Sequence, residues 1–549
     1  MRRVKTIGIL FLAFVMIIGS TACGGDTNSK DQTSQSPAAG TNAAASPASA
    51  LSSEVSAAAS PSATPADGAT AAASPSATPA DSASASPTSA PTATVSASAA
   101  PAGTPAASAA PAENTYPENG LSKTDKVTLK LGFFEGGVGR AWMDYAIKTF
   151  TQKFPNVKIE ITSSPTIEKT IMTKVSAGNN DDMFDIFSTT RLTWEELADA
   201  GKIATMDDLW ERAPYDTPGK KVKDLMFSSS YKYQRFKRLG KTYAIDYGLD
   251  VMGLFYDKAF FKKNGWNEQP KTYEEFLQLC DAIKAKNIYP MTFYRGYQWG
   301  LFKPKEFELA LENGNTKFEY NFRNFIGSQY TAPESITMWT RMYEMGQKKY
   351  FEPGSGTITH TISQMQLIQH RVAMVASGSW IQNEMKNATP AGFEWGFMAM
   401  PFVSKAGSKL CVQQAAEDSL FVWAGKPELN VKWAKEFVLW MQNLDVQSEI
   451  VRSGMMSIRS DFSKSSDRVA KLQGVCKTIT QILATGNVIT VDIQTRDVVM
   501  NDPNGYGDEA WKLADEARVA VALGKKDPLP MLKTAEELLQ KAVATGVKK

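Results

Sequence analysis

The chain has 549 residues, of which 60 are Lys or Arg and 57 are Asp or Glu, so that its formal net charge is +3. A charge balance this close to neutral gives no reason to expect nucleic acid as a partner. All aromatic residues except Phe11 and Phe14 lie beyond residue 115, and that part is long enough to fold as two lobes.

The first 22 residues have the three parts of a secretory signal peptide. A basic start is followed by an apolar run over residues 7–19 and by small residues before Cys23. The apolar run is shorter than the roughly 20 residues of a membrane-spanning helix. The small-small-Cys ending resembles the bacterial lipoprotein signal, which implies lipidation of Cys23 with acyl chains such as palmitate and a stable hold on a membrane. The alternative is ordinary secretion, with cleavage near Ala22.

Residues 23–117 are dominated by Ala, Ser, Thr and Pro, and the segment AAASPSATPAD occurs at residues 57–67 and again at 71–81. Such a composition cannot bury enough apolar surface to offset chain entropy, which predicts a disordered tether. The predicted organisation is therefore a signal peptide at 1–22, a lipidated cysteine with its linker at 23–117, and a solute-binding domain at 118–549.

The folded part begins with a strand, a helix and a second strand. Leu129 and Leu131 alternate with polar residues, residues 157–161 alternate in the same way, and apolar residues recur at helical spacing from Trp142 to Phe154. Two strands joined by one amphipathic helix make a βαβ unit, and therefore a parallel sheet. The α/β pattern continues with strands predicted at 183–187, 251–256, 371–376 and 419–424 and helices at 167–177, 433–442 and 534–542.

Groups for catalysis or metal binding are scarce. His360 and His370 are the two histidines, and neither spacing suits a nucleophile–histidine pair or zinc. The glycine-rich turn at 136–139 lacks the third glycine of a dinucleotide fingerprint, and the loop at 501–505 lacks the spacing of a calcium loop. We therefore expect no cofactor and no metal, although a close pair of glycosidase carboxylates stays open.

Three cysteines follow Cys23 in the sequence, namely Cys280, Cys411 and Cys476. They are too far apart for a metal knuckle or a redox pair, and their odd number leaves at least one thiol free. We interpret them as small buried side chains, with a single disulfide as the alternative.

Short segments along the whole folded part carry a family resemblance. In order they are KFPNV at 153–157, AGN at 177–179, DMFDIF at 182–187, YAI at 243–245, LFYDK at 254–258, KTYEEF at 271–276, RVAM at 371–374, GSW at 378–380 and AKEF at 434–437. Their order and spacing resemble the family 1 extracellular solute-binding proteins, the group that includes maltose-binding protein. Within that family the chain is most similar to carbohydrate binders, such as those for N-acetylglucosamine or chitobiose.

The resemblance implies an α/β fold of two lobes, a periplasmic-binding-protein-like clamp of type II. It implies crossings between the lobes near Gly248, Ala416 and Thr490, with the N-lobe at 126–248 and 417–489 and the C-lobe at 249–416 and 490–549. It also implies a monomer that is not an enzyme, held by its lipid anchor on the extracytoplasmic face of a Gram-positive cell membrane. There it would bind a sugar and deliver it to the permease subunits of an ABC importer.

A sugar site needs aromatic rings for the apolar faces of pyranoses and polar groups for the hydroxyls. Trp380 follows a strand and a Gly-Ser turn, where the family often has a stacking tryptophan, and Asp250 lies at the first crossing. The candidate ligand-binding residues are Trp380, Asp250, Asp246, Tyr247, Ser188, Thr189, Arg191, Glu135, Trp299, Glu417 and Asp418. The alternatives are a core position for Trp380 and a helix-capping or hinge role for Asp250.

Two other functions stay open. One is a tethered extracellular glycan hydrolase, which would need a close pair of carboxylates and would turn its substrate over. The other is a binding lipoprotein for a solute other than a sugar, or a surface sensor, and a site poor in aromatic rings would favour it.

Overall fold

A computed structural model describes residues 114–188, 192, 194–227, 236–238, 240–415 and 419–548. All of them belong to the unit that runs from Thr104 to Lys549. Within these ranges, no helix has the length and apolar character needed to cross a membrane.

The helices of the described residues are, in chain order, α1 (Ala141–Lys153), α2 (Ile167–Ala177), α3 (Trp194–Asp199), α4 (Asp207–Trp210), α5 (Val222–Leu225), α6 (Lys258–Asn264), α7 (Tyr273–Lys284), α8 (Arg295–Phe302), α9 (Pro304–Glu312), α10 (Phe318–Arg323), α11 (Pro333–Gln347), α12 (His360–Ile368), α13 (Ile381–Glu384), α14 (Glu428–Trp440), α15 (Leu444–Ser453), α16 (Ser466–Ala470), α17 (Gly474–Ala484), α18 (Tyr506–Ala522) and α19 (Pro528–Ala544), with a 3₁₀-helix at Phe462–Lys464. The strands are β1 (Val127–Phe134), β2 (Val157–Ser164), β3 (Ile186–Ser188), β4 (Lys237–Arg238), β5 (Lys241–Thr242), β6 (Ile245–Asp246), β7 (Gly248–Asp257), β8 (Tyr289–Phe293), β9 (Val372–Gly378), β10 (Trp395–Met398), β11 (Leu410–Ala415), β12 (Ser419–Val422), β13 (Met456–Ser457), β14 (Val488–Val491), β15 (Val499–Met500) and β16 (Val547–Lys548).

The first lobe is built on a sheet with the strand order β2-β1-β3-β12-β6. β1 lies between β2 and β3 and is parallel to both, with Leu131 level with Ile161 on one side and Ile186 on the other. The alternation seen in the sequence buries Leu129 and Leu131 completely. The predicted βαβ unit and parallel sheet are confirmed, and α1 is its crossover helix.

The second lobe is built around β7. Its sheet has the order β14-β11-β7-β9-β8, and β10 and β13 also pair with β7. All ten residues of β7 are buried, so both faces of this strand are covered by protein. That burial explains the nearly continuous apolar run in the sequence here, where a half-buried strand would alternate.

The chain passes between the two sheets at strand ends. β6 ends at Asp246 and β7 begins at Gly248, while β11 and β12 are separated by residues 416–418, which lie outside the described residues. The third change of sheet comes before Met456, because β13 pairs with β7 and β14 pairs with β11. The crossing was expected near Thr490, but the change of sheet occurs further upstream. The backbone pairing of β13 and β14 places the strands within residues 456–491 in the second sheet. The lobe boundaries themselves stay a prediction.

Apolar side chains pack on both faces of the second sheet. One cluster joins α1, α14, α15 and α17 to both sheets, and another lies beneath α7, α11, α18 and α19. Cys280, Cys411 and Cys476 are buried free thiols, as the sequence predicts. Burial raises the pKa of each of these thiols above its ordinary value.

Candidate ligand-binding site

A cavity of about 290 Å³ lies between the end of β1 and the second sheet. Its position at the carboxyl end of β1 is where open parallel sheets bind ligands. The cavity is lined by Phe133, Phe134, Gly136, Gly137, Val138 and Trp142 from the first lobe and by Asp250, Met252, Gly296, Tyr297, Trp299, Gly300, Trp380, Glu384, Gln413 and Gln494 from the second. It therefore brings aromatic rings, carboxylates and amides together between the two lobes.

Trp380 lies in the corner between β9 and α13. It is half-buried, belongs to none of the buried apolar clusters, and its ring meets the ring of Tyr297 edge-on at a centroid distance of 5.6 Å. The last residue of β9, Gly378, leaves room for the indole, since a Cβ there would lie 2.1 Å from its Cζ3. The absence of a side chain at Gly378 thus lets Trp380 lie against the strand and line the cavity.

Asp250 lies on β7 and supplies a buried carboxylate at the cavity. Its exposed fraction is 6%, and its Oδ1 accepts a hydrogen bond of 3.1 Å from the hydroxyl of Ser379. Since Ser379 directly precedes Trp380, one corner of the chain both orients the carboxylate and carries the indole. A carboxylate has further lone pairs, which can accept hydrogen bonds from ligand hydroxyls.

Gln413 on β11 contributes a buried amide next to Asp250. Its side chain makes no hydrogen bond to the rest of the described chain, so its donors and acceptor are available to a ligand. Gly300 on α8 packs closely here, since a Cβ at this position would lie 2.2 Å from Oε1 of Gln413. Any side chain at position 300 would force the amide of Gln413 and the side chain of Met252 to shift.

Glu384 on α13 is the second carboxylate in the lining. Its Oε1 lies 2.9 Å from Nε2 of His360, and its Oε2 accepts a hydrogen bond of 2.9 Å from the amide of Gln364. Burial raises the pKa of Glu384, but these two hydrogen bonds and the charge of His360 together lower it by more, and the pKa ends below its ordinary value. The carboxylate is thereby held ionised and oriented at the cavity wall.

The glycine-rich turn after β1 is where the two lobes touch beside the cavity. The carbonyl of Gly137 accepts a hydrogen bond of 2.5 Å from the amide of Asn383 on α13. Trp142 lies on the other side of the turn, and its indole N–H donates to the carbonyl of Gly139 at 3.1 Å. The turn therefore acts as a contact between the lobes.

Three of the residues predicted for the site meet at this cavity, namely Trp380, Asp250 and Trp299. Trp299 on α8 is half-buried, and the ammonium of Lys303 lies 5.3 Å from the centre of its ring.

Four other predicted residues lie nearby but outside the lining. Glu135 accepts a hydrogen bond of 2.6 Å from the hydroxyl of Ser163, and the hydroxyl of Ser188 accepts one of 3.2 Å from a backbone N–H at the end of β1. Asp246 accepts a hydrogen bond from the hydroxyl of Ser419 across the first sheet. Tyr247 is buried, with its ring 5.0 Å from that of Trp142, so it packs behind the cavity wall.

The remaining predicted positions lie outside the described residues. They are Thr189, Arg191, Glu417, Asp418 and the lipidation site Cys23. Their assignment stays a prediction.

Several lining residues were not predicted from the sequence. Tyr297 comes two residues before Trp299, and Glu384 comes four residues after Trp380, so each stands beside a candidate that was named. Gln413 and Trp142 offered no comparable signal, because a lone amide in a strand and an aromatic residue on an apolar helix face are usually structural.

Two larger cavities occur elsewhere in the described residues. One of about 370 Å³, beside Phe307, Phe318 and Val488, is lined mainly by apolar side chains. The other, of about 640 Å³, lies next to Arg452 and Lys471 and presents basic and amide groups. Neither combines a tryptophan with a carboxylate. Over the part of the chain that is described, no three His, Cys, Asp or Glu side chains are grouped so as to hold a metal ion.

Comparison of the amino-acid sequence with known proteins identifies bacterial relatives. The diacetylchitobiose binding protein NgcE of Streptomyces coelicolor is 26% identical over 298 residues, which are 54% of this chain and 62% of NgcE. The chain thus matches less than two thirds of the length of NgcE. A multiple sugar-binding protein of Streptococcus mutans is 24% identical over 326 residues, covering 58% of this chain and 72% of that protein.

The fold also matches solved structures. The cyclic alpha-maltosyl-1,6-maltose binding protein from Arthrobacter globiformis aligns with a TM-score of 0.57 and 14% identity, over 77% of this chain and 100% of that one. At this identity the match bears on the fold alone, and it confirms the predicted two-lobed architecture. The profile of the bacterial extracellular solute-binding proteins matches residues 135–448, more than half of the sequence. The chain therefore belongs to the family of bacterial extracellular solute-binding proteins.

Proposed function

We propose that this protein binds a sugar, in particular an oligosaccharide, in the cavity between its lobes and delivers it to an ABC importer. The observation that carries the proposal is the corner formed by Gly378, Ser379 and Trp380. It places a half-buried indole and the buried carboxylate of Asp250 on the same cavity. Apolar ring faces and hydroxyl groups are the two features of a pyranose that such a pair recognises.

The named relatives support the choice of a sugar. NgcE is a diacetylchitobiose binding protein, and the second relative is a multiple sugar-binding protein. The lining of the cavity is consistent with them, because the described part of it contains three tryptophans, a tyrosine, two carboxylates and two glutamine amides. A solute without apolar ring faces would leave these aromatic groups unused.

Closure of the two lobes around the ligand would complete the site. Lobe closure by hinges is an established motion of ligand-binding clamps. In this chain the turn at Gly137 contacts Asn383 directly beside the cavity. Groups from both lobes would then surround the sugar, and the closed form would be the one presented to the permease.

The anchoring of the protein is part of the same proposal. Lipidation at Cys23 would attach the chain to the outer face of the cell membrane, and the linker to residue 117 would let the clamp work at some distance from it. The family is extracellular, which supports this location. The clamp would act as a monomer.

A ligand screen tests the proposal. The thermal unfolding of the protein from residue 114 onward, and of the full secreted chain, is measured with N-acetylglucosamine, glucose and their oligomers. The affinity of each sugar that raises the Tm is then measured by isothermal titration calorimetry. A ligand at 100 times its Kd should stabilise the fold by about 2.7 kcal/mol. Stabilisation by amino acids, peptides or metal ions, and by none of the sugars, would contradict the proposal.

The same samples separate binding from hydrolysis. Each bound oligosaccharide is incubated with the protein and then analysed by chromatography. Recovery of the intact ligand is the expected result, whereas release of shorter sugars would favour the hydrolase alternative, with Asp250 and Glu384 as its carboxylates.

A further inference from the structure

A row of aromatic rings continues from the cavity lining to residues beyond it. Tyr297, which lines the cavity, lies 5.6 Å from Trp380 on one side and 5.2 Å from Tyr294 on the other. Tyr294 in turn lies 6.0 Å from the ring of His360. We call Tyr294 and His360 the rim pair.

Both rings of the rim pair are partly exposed. Tyr294 is half-buried, and the side chain of His360 is 39% exposed. The ring of Tyr294 packs on Gly296, where an added Cβ would lie 2.5 Å from its Cε1, and Gly296 itself lines the cavity. The edge of the cavity and the rim pair are therefore continuous.

Neither ring of the rim pair is needed to fill the core. Tyr294 and His360 belong to none of the apolar clusters of the described residues. The hydroxyl of Tyr294 makes no hydrogen bond to another described residue, whereas His360 is held in place by Glu384 at 2.9 Å. A partly exposed, oriented aromatic pair outside the buried apolar clusters is well suited to bind a ligand.

The size of the cavity shows why a ligand would reach the rim. Ligand pockets span about 300–1,000 Å³, and this cavity, at about 290 Å³, is at the lower end of that range. It has room for a small ligand, so an oligosaccharide would have to continue beyond it. The row of rings marks a path along which each further pyranose would meet an aromatic group.

We propose that the rim pair, Tyr294 and His360, forms a second sugar subsite, which takes the next uncharged pyranose ring of an oligosaccharide whose first ring binds at Trp380. This inference rests on the proposed function, and it adds that affinity depends on chain length. The rim ring would stack on Tyr294, while Glu384 holds His360 beside it.

Chain-length series test this subsite. Calorimetry is performed with N-acetylglucosamine and its β-1,4-linked oligomers of two to four residues, and with glucose and its α-1,4-linked oligomers. In the series that binds, Tyr294→Ala should weaken the binding of oligomers about three- to tenfold, the range expected for loss of one aromatic contact, and leave the monosaccharide unchanged. Tyr294→Phe keeps the ring and should retain wild-type affinity at every length.

Controls separate the subsite from the fold. Tyr320→Ala removes a tyrosine that is 59% exposed on α10, away from the cavity lining, and should change neither affinity nor Tm. If Tyr294→Ala lowers the Tm of the unliganded protein, His360→Gln provides the second variant, since it removes a ring and keeps an amide beside Glu384. It should show the same dependence on chain length.

The failure of the subsite and that of the proposed function give different results. Wild-type protein that binds neither sugar series contradicts the function, and the subsite with it. Wild-type protein that binds sugars, with Tyr294→Ala equal to it at every length or weakened equally for monomer and oligomers, overturns the subsite alone.

Discussion

Replacement of Trp380 by Ala tests whether this residue serves binding or packing. The indole is half-buried, meets Tyr297 edge-on and lies outside every buried apolar cluster of the described residues. Truncation should therefore remove a ligand contact and leave the core intact. Trp433 on α14 is the matched comparison, because its side chain is fully buried in the core.

The expected magnitudes differ for the two tryptophans. Loss of a central aromatic anchor costs about 2 kcal/mol or more in binding, and at about 1.4 kcal/mol per tenfold this is roughly a 30-fold weaker Kd for Trp380→Ala. Loss of a core tryptophan costs about 3–5 kcal/mol of unfolding free energy, which we expect for Trp433→Ala. Trp380→Ala should lose well under that amount of stability.

Two measurements on each variant decide the matter. Urea unfolding of the unliganded protein gives the free energy of unfolding, and calorimetry with the best ligand of the screen gives the Kd. Trp511→Ala, at a tryptophan that is 57% exposed on α18, should change neither quantity. A loss of about 3 kcal/mol or more of stability in Trp380→Ala, with affinity intact, would place this residue in the core and refute the reasoning.

Three further predictions concern charge, thiols and anchoring. Burial raises the pKa of Glu384, but its two hydrogen bonds and the charge of His360 together lower it by more, so the pKa in the folded state lies below the ordinary 4.5. The native protein should then lose stability as the pH falls below that value, and Glu384→Gln should show a smaller fall in Tm; equal falls would contradict this. Burial raises the pKa of Cys476 to about 12 and also raises those of Cys280 and Cys411, so a thiol reagent at about pH 8 should label all three only after unfolding. Cys23→Ala should move the protein from the membrane fraction to the medium, and continued membrane binding in fractionation would count against lipidation.

Part of this architecture could be predicted from residue patterns. Leu129 and Leu131 alternate with polar residues because one face of β1 is buried, and this pattern led directly to the βαβ unit. The strand β13 has only two residues, Met456 and Ser457, which is too short to show any periodicity. Its pairing with β7 depends on residues more than 200 positions earlier in the chain, and therefore the third change of sheet could not be located from the sequence pattern.

The site was predictable only in part for a similar reason. Along β7, alternate side chains point to opposite faces, and Asp250 and Met252 face the cavity while Leu249 and Val251 join the core. Tyr247 lies two residues before Leu249, so its side chain points to the same face and is buried there as well. Proximity in sequence to the crossing suggested both Tyr247 and Asp250, but the direction of each side chain follows from the register of the strand.

The distribution of contacts between the lobes has a kinetic consequence. The carboxylates and amides of the cavity, including Asp250 and Gln413, are carried by the second lobe, whereas the first contributes the turn at Gly137 and the rings of Phe133, Phe134 and Trp142. If a sugar binds as proposed, it would dock on the second lobe first, and the first lobe would then cover it. The encounter rate would depend little on the first lobe, while its turn would set how long the sugar stays. Transfer to an importer would then require the opening of that turn.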